Sequence, residues 1–307
     1  MADSPAPRRA SMLLGMDTAS TPRNWVDVTR DAATGVETIR AHFSGHAYDP
    51  HYHEEALVGV TEQGLQEFSC RRRLHRSTPG RVILIEPGEV HDGHAPAAEG
   101  FTYVMLYLPT GWLAETRRLV AAGDRGTGEV GFPATLADDA RLAEAIGRAF
   151  AVLRAPEMPR LARDAALDAM VAALEPQLAD GRPTGAGARR APRAARRARE
   201  MLHALMAEDP GLDALAEACG APDRFQLARA FRAAYGLPPH AYLVQLRLTA
   251  ARRLLSSGNA PASVAATVGF ADQSHLGRWF RRAYGLTPAA YRRLCTNVPD
   301  RGAAAAP

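Results

Sequence analysis

A shift of 49 residues lays Leu215–Tyr242 over Val264–Tyr291 with 14 of 28 positions identical. The matches include Ala216/Ala265, Gly220/Gly269, Asp223/Asp272, Leu227/Leu276, Arg229/Arg278, Phe231/Phe280 and Tyr235/Tyr284. A duplication this dense requires that both stretches fold into the same small unit. In each copy a short apolar stretch with a central Ala ends at a Gly suited to a left-handed helix terminus. An Asp three residues later is placed to cap a second helix. Helix, tight turn and helix is the layout of a helix-turn-helix. Between the copies, Pro239 to Ser257 reads as one helix, with Tyr242, Leu246, Ala250 and Leu254 spaced four apart.

The second helix of each unit has two faces. At 100° per residue, Leu276, Phe280 and Ala283 share one side, while Ser274, Arg278 and Arg281 point away, flanked by His275 and Arg282. In the earlier copy Leu227, Phe231 and Ala234 point inward, and Phe225, Arg229 and Arg232 outward. Charge divides the chain the same way. Residues 185–294 hold 17 Arg against 7 Asp and Glu, a net of +10, and the rest of the chain carries −6. A basic third with an outward face of Arg, aromatic and short polar residues fits the major groove of double-stranded DNA, where Arg reads guanine and an apolar ring meets a thymine methyl. A solvated basic face on a helical bundle explains neither the outward Phe225 nor the repeated turn.

The segment Leu215 to Arg293, and within it "GFADQSHLGRWFRRAYGLTPAAYR" at 269–292, resembles the DNA-binding domain of the AraC/XylS family of bacterial transcription regulators. The resemblance implies base-reading positions at Phe225, Ala228 and Arg229 in the first recognition helix and at Ser274, His275 and Arg278 in the second. Ala228 is on the flank of the helical wheel and offers only a methyl group. Pro261 departs from the apolar residue usual at the start of the second unit, and is tolerated at a first helical position.

From Val36 to Leu108 short apolar or alternating runs such as "RVILIEP" and "FTYVMLYL" are punctuated by Gly and Pro, the pattern of closely spaced strands in a barrel or sandwich. Leu136–Leu153 and Leu161–Leu178 then show helical spacing. The N-terminal half resembles the cupin-type sensor domain fused to many of these regulators. His51 and His53 project from one strand face, and His91 follows the Pro87-Gly88 turn. In metal-binding cupins a Glu follows the H-x-H; Leu57 and Val58 stand at the corresponding positions. The ligand set is incomplete, so the expectation is an effector pocket at His51, His53 and His91 with no metal and no cofactor. Cys70, beside Arg71-Arg72-Arg73, is a weak redox-sensor candidate.

No apolar run approaches the ~18 residues of a membrane span, and three scattered cysteines suit a reducing compartment, so the expected location is cytoplasmic. The expected fold is α+β with two domains: a cupin-like β-barrel with helices, and an all-α domain with two helix-turn-helix units. The expected division is an extended or disordered N-terminus (1–24), sensor barrel (25–110), helical dimerisation or cover element (111–179), linker (180–192), DNA-binding domain (193–295) and disordered tail (296–307). The expected function is that of a sequence-specific transcription regulator, not an enzyme, controlled by a small-molecule effector. A homodimer is expected, and contact with RNA polymerase if the protein activates. The alternative is a cupin-type metal enzyme fused to a DNA-binding domain.

Overall fold

The computed structural model describes residues 24–120, 131–178 and 191–296. The expected disordered N-terminus up to residue 23, most of the linker and the tail beyond residue 296 lie outside the described residues.

The N-terminal half is built from β1 (Trp25–Arg30), β2 (Glu37–Phe43), β3 (His46–His51), β4 (Ala56–Gly64), β5 (Gln66–Cys70), β6 (Arg73–Ser77), β7 (Val82–Ile85), β8 (His91–His94), β9 (Phe101–Leu108) and β10 (Leu136–Ala137). They form two antiparallel sheets, ordered β1-β2-β9-β4-β7-β10 and β3-β8-β5-β6. The expected barrel is therefore an open sandwich: among the described residues no ladder joins one sheet to the other. Within the second sheet the register of β3 on β8 slips twice, between His46 and Tyr48 and between Tyr48 and His51, which bends β3 locally.

The apolar runs of β4, β7 and β9 are buried on both faces, which is why they read as continuous rather than alternating. Leu57, Ile83, Ile85, Tyr103, Met105 and Tyr107 point between the sheets. Ala56, Val58, Val82, Leu84, Leu106 and Leu108 point outward into a second core under a helical layer. That layer comprises α1 (Thr110–Val120), α2 (Ala140–Arg154) and α3 (Arg160–Leu174). Asp139 caps α2 by accepting from the Leu142 amide, and Leu142, Ile146, Ala149 and Leu153 form its buried stripe.

The C-terminal half is helical: α4 (Arg193–Ala204), α5 (Leu212–Cys219), α6 (Arg224–Tyr235), α7 (Pro239–Ser256), α8 (Pro261–Val268), α9 (Gln273–Tyr284) and α10 (Pro288–Thr296). The two repeats fold alike. Gly220 and Gly269 end α5 and α8 at φ +71° and +89°, and Asp223 and Asp272 cap α6 and α9 through the amides of Gln226 and His275. Pro261 opens α8 as its first residue. The connecting α7 is one continuous helix of 18 residues. Its burial is wider than one stripe, because it is wedged between the two units. Tyr242, Leu243 and Leu246 join the core of the first unit, whereas Val244, Leu248, Ala251 and Leu255 join a core that contains the second unit and the sandwich interior.

Candidate functional site: two recognition helices and a buried interdomain cluster

The DNA-facing candidates expected from the sequence lie on α6 and α9. On α6, Leu227 and Phe231 are buried, while Phe225 is 61% exposed. Arg229 and Arg232 are exposed beside it, and Ala228 is half-buried on the flank. The Arg224 guanidinium stacks over the Phe225 ring at 4.9 Å, an arrangement that holds an apolar ring in water beside a cation. On α9, Leu276, Phe280 and Ala283 are buried, and Ser274, Arg278 and Arg281 are exposed. His275 is half-buried against Phe270, and its Nε2 accepts from Trp279 Nε1 at 3.0 Å. Arg282 lies elsewhere in effect: its Nε donates to Asp49 Oδ2 of the sensor at 2.6 Å.

Arg282 belongs to a set of contacts that docks the helical half on the sandwich. Arg253 pairs with Glu54, Arg72 Nη2 donates to the Ala233 carbonyl at 2.6 Å, and Arg30 Nη1 donates to Ser256 Oγ at 2.9 Å. At the centre Arg252 is buried. Its Nη2 donates to Glu37 Oε2 at 2.7 Å, and Tyr291 Oη donates to Glu37 Oε1 at 2.7 Å. The Arg252 Nη1 is 3.0 Å from His53 Nδ1 and 3.5 Å from Glu55 Oε2. Part of the positive charge assigned from sequence to a polyanion thus meets the acidic sensor. Three arginines of the basic third, Arg252, Arg253 and Arg282, have carboxylate partners there.

His51, His53 and His91 come together at the same place. All three are buried, with ligand-type atoms within 4.8 Å of one another. His51 ends β3 and His91 opens β8, where the ladder pairs them. His53 is held by its own carbonyl, which accepts from the Gly88 amide of the turn before His91 at 2.6 Å; Gly88 takes φ +77° there. Burial, and then the neighbouring His91, holds His51 well below its ordinary pKa. Burial, then His51 and Arg252, does the same to His53, and burial lowers His91 to about 4. The rings are therefore neutral near pH 7. Leu57, one of the two positions at which the cupin resemblance would place its single carboxylate ligand, lines the adjoining cavity as an apolar group.

That cavity, of about 40 Å³, lies between the sheets and is walled by both halves of the chain. Val28, Ile39, Phe43, Phe68 and Met105 come from the sandwich, and Arg252, Tyr284, Leu286 and Tyr291 from the helical half. The interdomain half of this wall has no local sequence signal, since Glu37 and Arg252 are 215 residues apart. Cys70 is buried, and burial pushes its thiol up to about 12. A thiol so raised is not the thiolate that a redox sensor requires.

Sandwich sensor, connecting cavity and paired recognition helices define a two-domain DNA-binding transcription regulator. The family model of the AraC-like ligand binding domain matches residues 34–175, and that of a helix-turn-helix domain matches residues 215–294; the chain is an AraC-family regulator with an N-terminal sensor domain. A search of curated protein sequences returned no match. Among solved structures the fold is similar to that of ToxT from Vibrio cholerae. An apo ToxT variant aligns with a TM-score of 0.53 at 10% identity over 87% of this chain and 100% of that one. A 1.65 Å ToxT structure aligns at 0.52 and 11% over 84% and 98%. ToxT bound to an unsaturated fatty acid aligns at 0.50 and 10% over 91% and 98%. Among the described residues no helix is long and apolar enough to cross a membrane.

Proposed function

We propose that the protein reads DNA through Phe225, Ala228, Arg229 and Arg232 on α6 and Ser274, His275, Arg278 and Arg281 on α9, under control of a small effector bound in the interdomain cavity. Arg282 would join this contact set by exchanging Asp49 for a phosphate. The observation that carries the effector reading is the shared wall: Arg252, Tyr284, Leu286 and Tyr291 of the DNA-binding half close a cavity in the sensor. At about 40 Å³ it has room for about three waters. A larger molecule enters only by displacing those side chains, so binding and docking compete, and the effector shifts the docked population. The lining favours a mostly apolar molecule with one polar end for Arg252 or the histidines. The fatty acid in the ToxT structure is a ligand of this kind.

In this reading the protein is cytoplasmic and carries out no catalytic step. The helical layer of residues 111–179 also offers a dimer contact, since Leu119 and Leu161 stand 67% and 80% exposed on it. RNA polymerase would be the further partner of an activator. The test is sequencing of genomic DNA fragments retained by the purified full chain, with and without apolar carboxylic acids that raise its melting temperature. A shared motif with two half-contacts whose retention changes with ligand is expected. Retention without sequence preference would sink the reading.

A further inference from the structure

The histidine cluster has a property that the effector reading does not use. The Nδ1 atoms of His51 and His91 lie 2.7 and 3.1 Å from the carbonyls of Asp49 and Glu89. A carbonyl only accepts, so each ring is protonated on Nδ1 and presents a lone pair at Nε2. Backbone carbonyls fixing the tautomer in this way are what orient metal-binding imidazoles. With the three rings buried together and their ligand-type atoms within 4.8 Å, metal bonds of about 2.0–2.1 Å need ring shifts on the order of 1 Å.

His53 differs. Arginine only donates, so its bond to Arg252 Nη1 requires the lone pair of His53 Nδ1. The proton then sits on Nε2, which has no hydrogen-bond partner among the described residues. Coordination through Nε2 moves that proton to Nδ1, where it opposes an arginine N–H. Coordination through Nδ1 uses the lone pair the arginine holds. In both cases a metal on His53 and the His53–Arg252 bond exclude each other, and the guanidinium charge adds repulsion of a dication.

We infer that His51, His53 and His91 form a three-histidine site for a divalent transition metal, and that occupation of this site ejects Arg252 and loosens the DNA-binding domain from the sensor. The absent carboxylate does not exclude a metal, since three neutral imidazoles suit zinc, nickel or cobalt without one. The inference does not depend on the effector. A metal that binds the undocked form better must, by linkage, shift docking by the same factor that docking weakens the metal.

The test titrates cobalt(II) into the untagged, chelator-treated full chain, followed by visible d–d absorption, with zinc(II) as competitor. One equivalent is expected, lost in His51→Ala and His91→Ala. Arg252→Gln should tighten the metal about tenfold, and Glu37→Gln, which weakens the same latch from the sensor side, should tighten it in the same direction. Saturating zinc should enlarge the radius of gyration in small-angle scattering of the wild type and leave His51→Ala unchanged. Absence of stoichiometric cobalt, or binding that survives both histidine substitutions, overturns the site. Stoichiometric binding with affinity unchanged in both latch variants overturns the coupling.

Discussion

Phe225 and Phe231 share one helix, and the proposed DNA contact of Phe225 can be tested against the core role of Phe231. They are six residues apart on α6, about 240° around the helix, and their exposures are 61% and 0%. Phe231 packs in the first unit's core against Tyr235 and Tyr242 at 4.7 and 5.3 Å, so Phe231→Ala should cost about 3–5 kcal/mol of stability. The exposed share of Phe225 is on the order of 120 Å², taking ~200 Å² for a phenylalanine. Covering that area is worth at most ~3 kcal/mol. Ordering costs on association reduce this to about 1–2 kcal/mol, or roughly a 5- to 30-fold loss of affinity. Phe225→Ala should therefore leave stability within about 0.5 kcal/mol while weakening retained DNA by that factor. Urea unfolding gives the first quantity and fluorescence anisotropy with a labelled DNA site the second, both at a temperature where the Phe231 variant is folded. The reasoning fails if Phe225→Ala is as destabilising as Phe231→Ala, or if its DNA affinity equals that of the wild type.

The two turn glycines are equivalent in sequence and differ in surroundings: a Cβ on Gly220 meets nothing within 4 Å, whereas one on Gly269 meets the Ala207 carbonyl oxygen at 2.5 Å. Gly220→Ala should cost about 1–2 kcal/mol of left-handed strain, and Gly269→Ala about 1–3 more for the clash; equal melting temperatures would contradict this. Arg229→Ala and Arg278→Ala should each cost about 1–3 kcal/mol of binding and relax preference at one base pair, while Arg282→Ala should weaken all sequences alike; selection of binding sites from a random pool distinguishes these. Glu37 and Arg252 are both buried, so Arg252→Ala should destabilise the docked protein by about 3–5 kcal/mol. A double-mutant cycle with Glu37→Gln should show a coupling of at least about 1 kcal/mol, and additive urea midpoints would remove the latch.

The repeat was legible in the sequence because it is a local pattern: Gly220, Asp223, Leu227 and Phe231 recur at fixed offsets, and each satisfies a constraint within one turn of chain. The sheets were legible for the same reason, as runs of strand-length apolar residues. Their division into an open sandwich was not, because strand order is set by pairings between segments distant in sequence, such as β2 with β9. The three histidines could be found by spacing, since His51 and His53 are adjacent alternates and His91 follows a Pro-Gly turn. What holds the tautomers of His51 and His91 could not, because the partners are the backbone carbonyls of Asp49 and Glu89, which every sequence supplies at every position. The net charge of the basic third is legible as a sum, but the use of each arginine is not: Arg252 and Arg253 are adjacent in the chain, yet one is buried on Glu37 and the other pairs at the surface with Glu54.

Those two arginines sit on α7, and their position explains how a sensor can act on both recognition helices at once. The helix is continuous from Pro239 to Ser256, about 27 Å at 1.5 Å per residue. Its first half is part of the core that holds α6, and its second half part of the core that holds α9. A rigid element of that length sets the spacing of the two units, and a span close to one DNA turn of ~34 Å suits two successive major-groove segments. The latch grips this spacer near its C-terminal end. Because both units pack on this spacer, undocking promoted by release of Arg252 should carry the spacer and both units as a body rather than bend one unit away from the other. It follows that loosening the latch should change the affinity for a two-part DNA site without changing the preferred distance between its parts. Insertion of five base pairs between the two contacts should then be as damaging in the Arg252→Gln variant as in the wild type. If that variant tolerates the insertion, the two units move independently once undocked, and the spacer is held straight by the sensor rather than by its own helix.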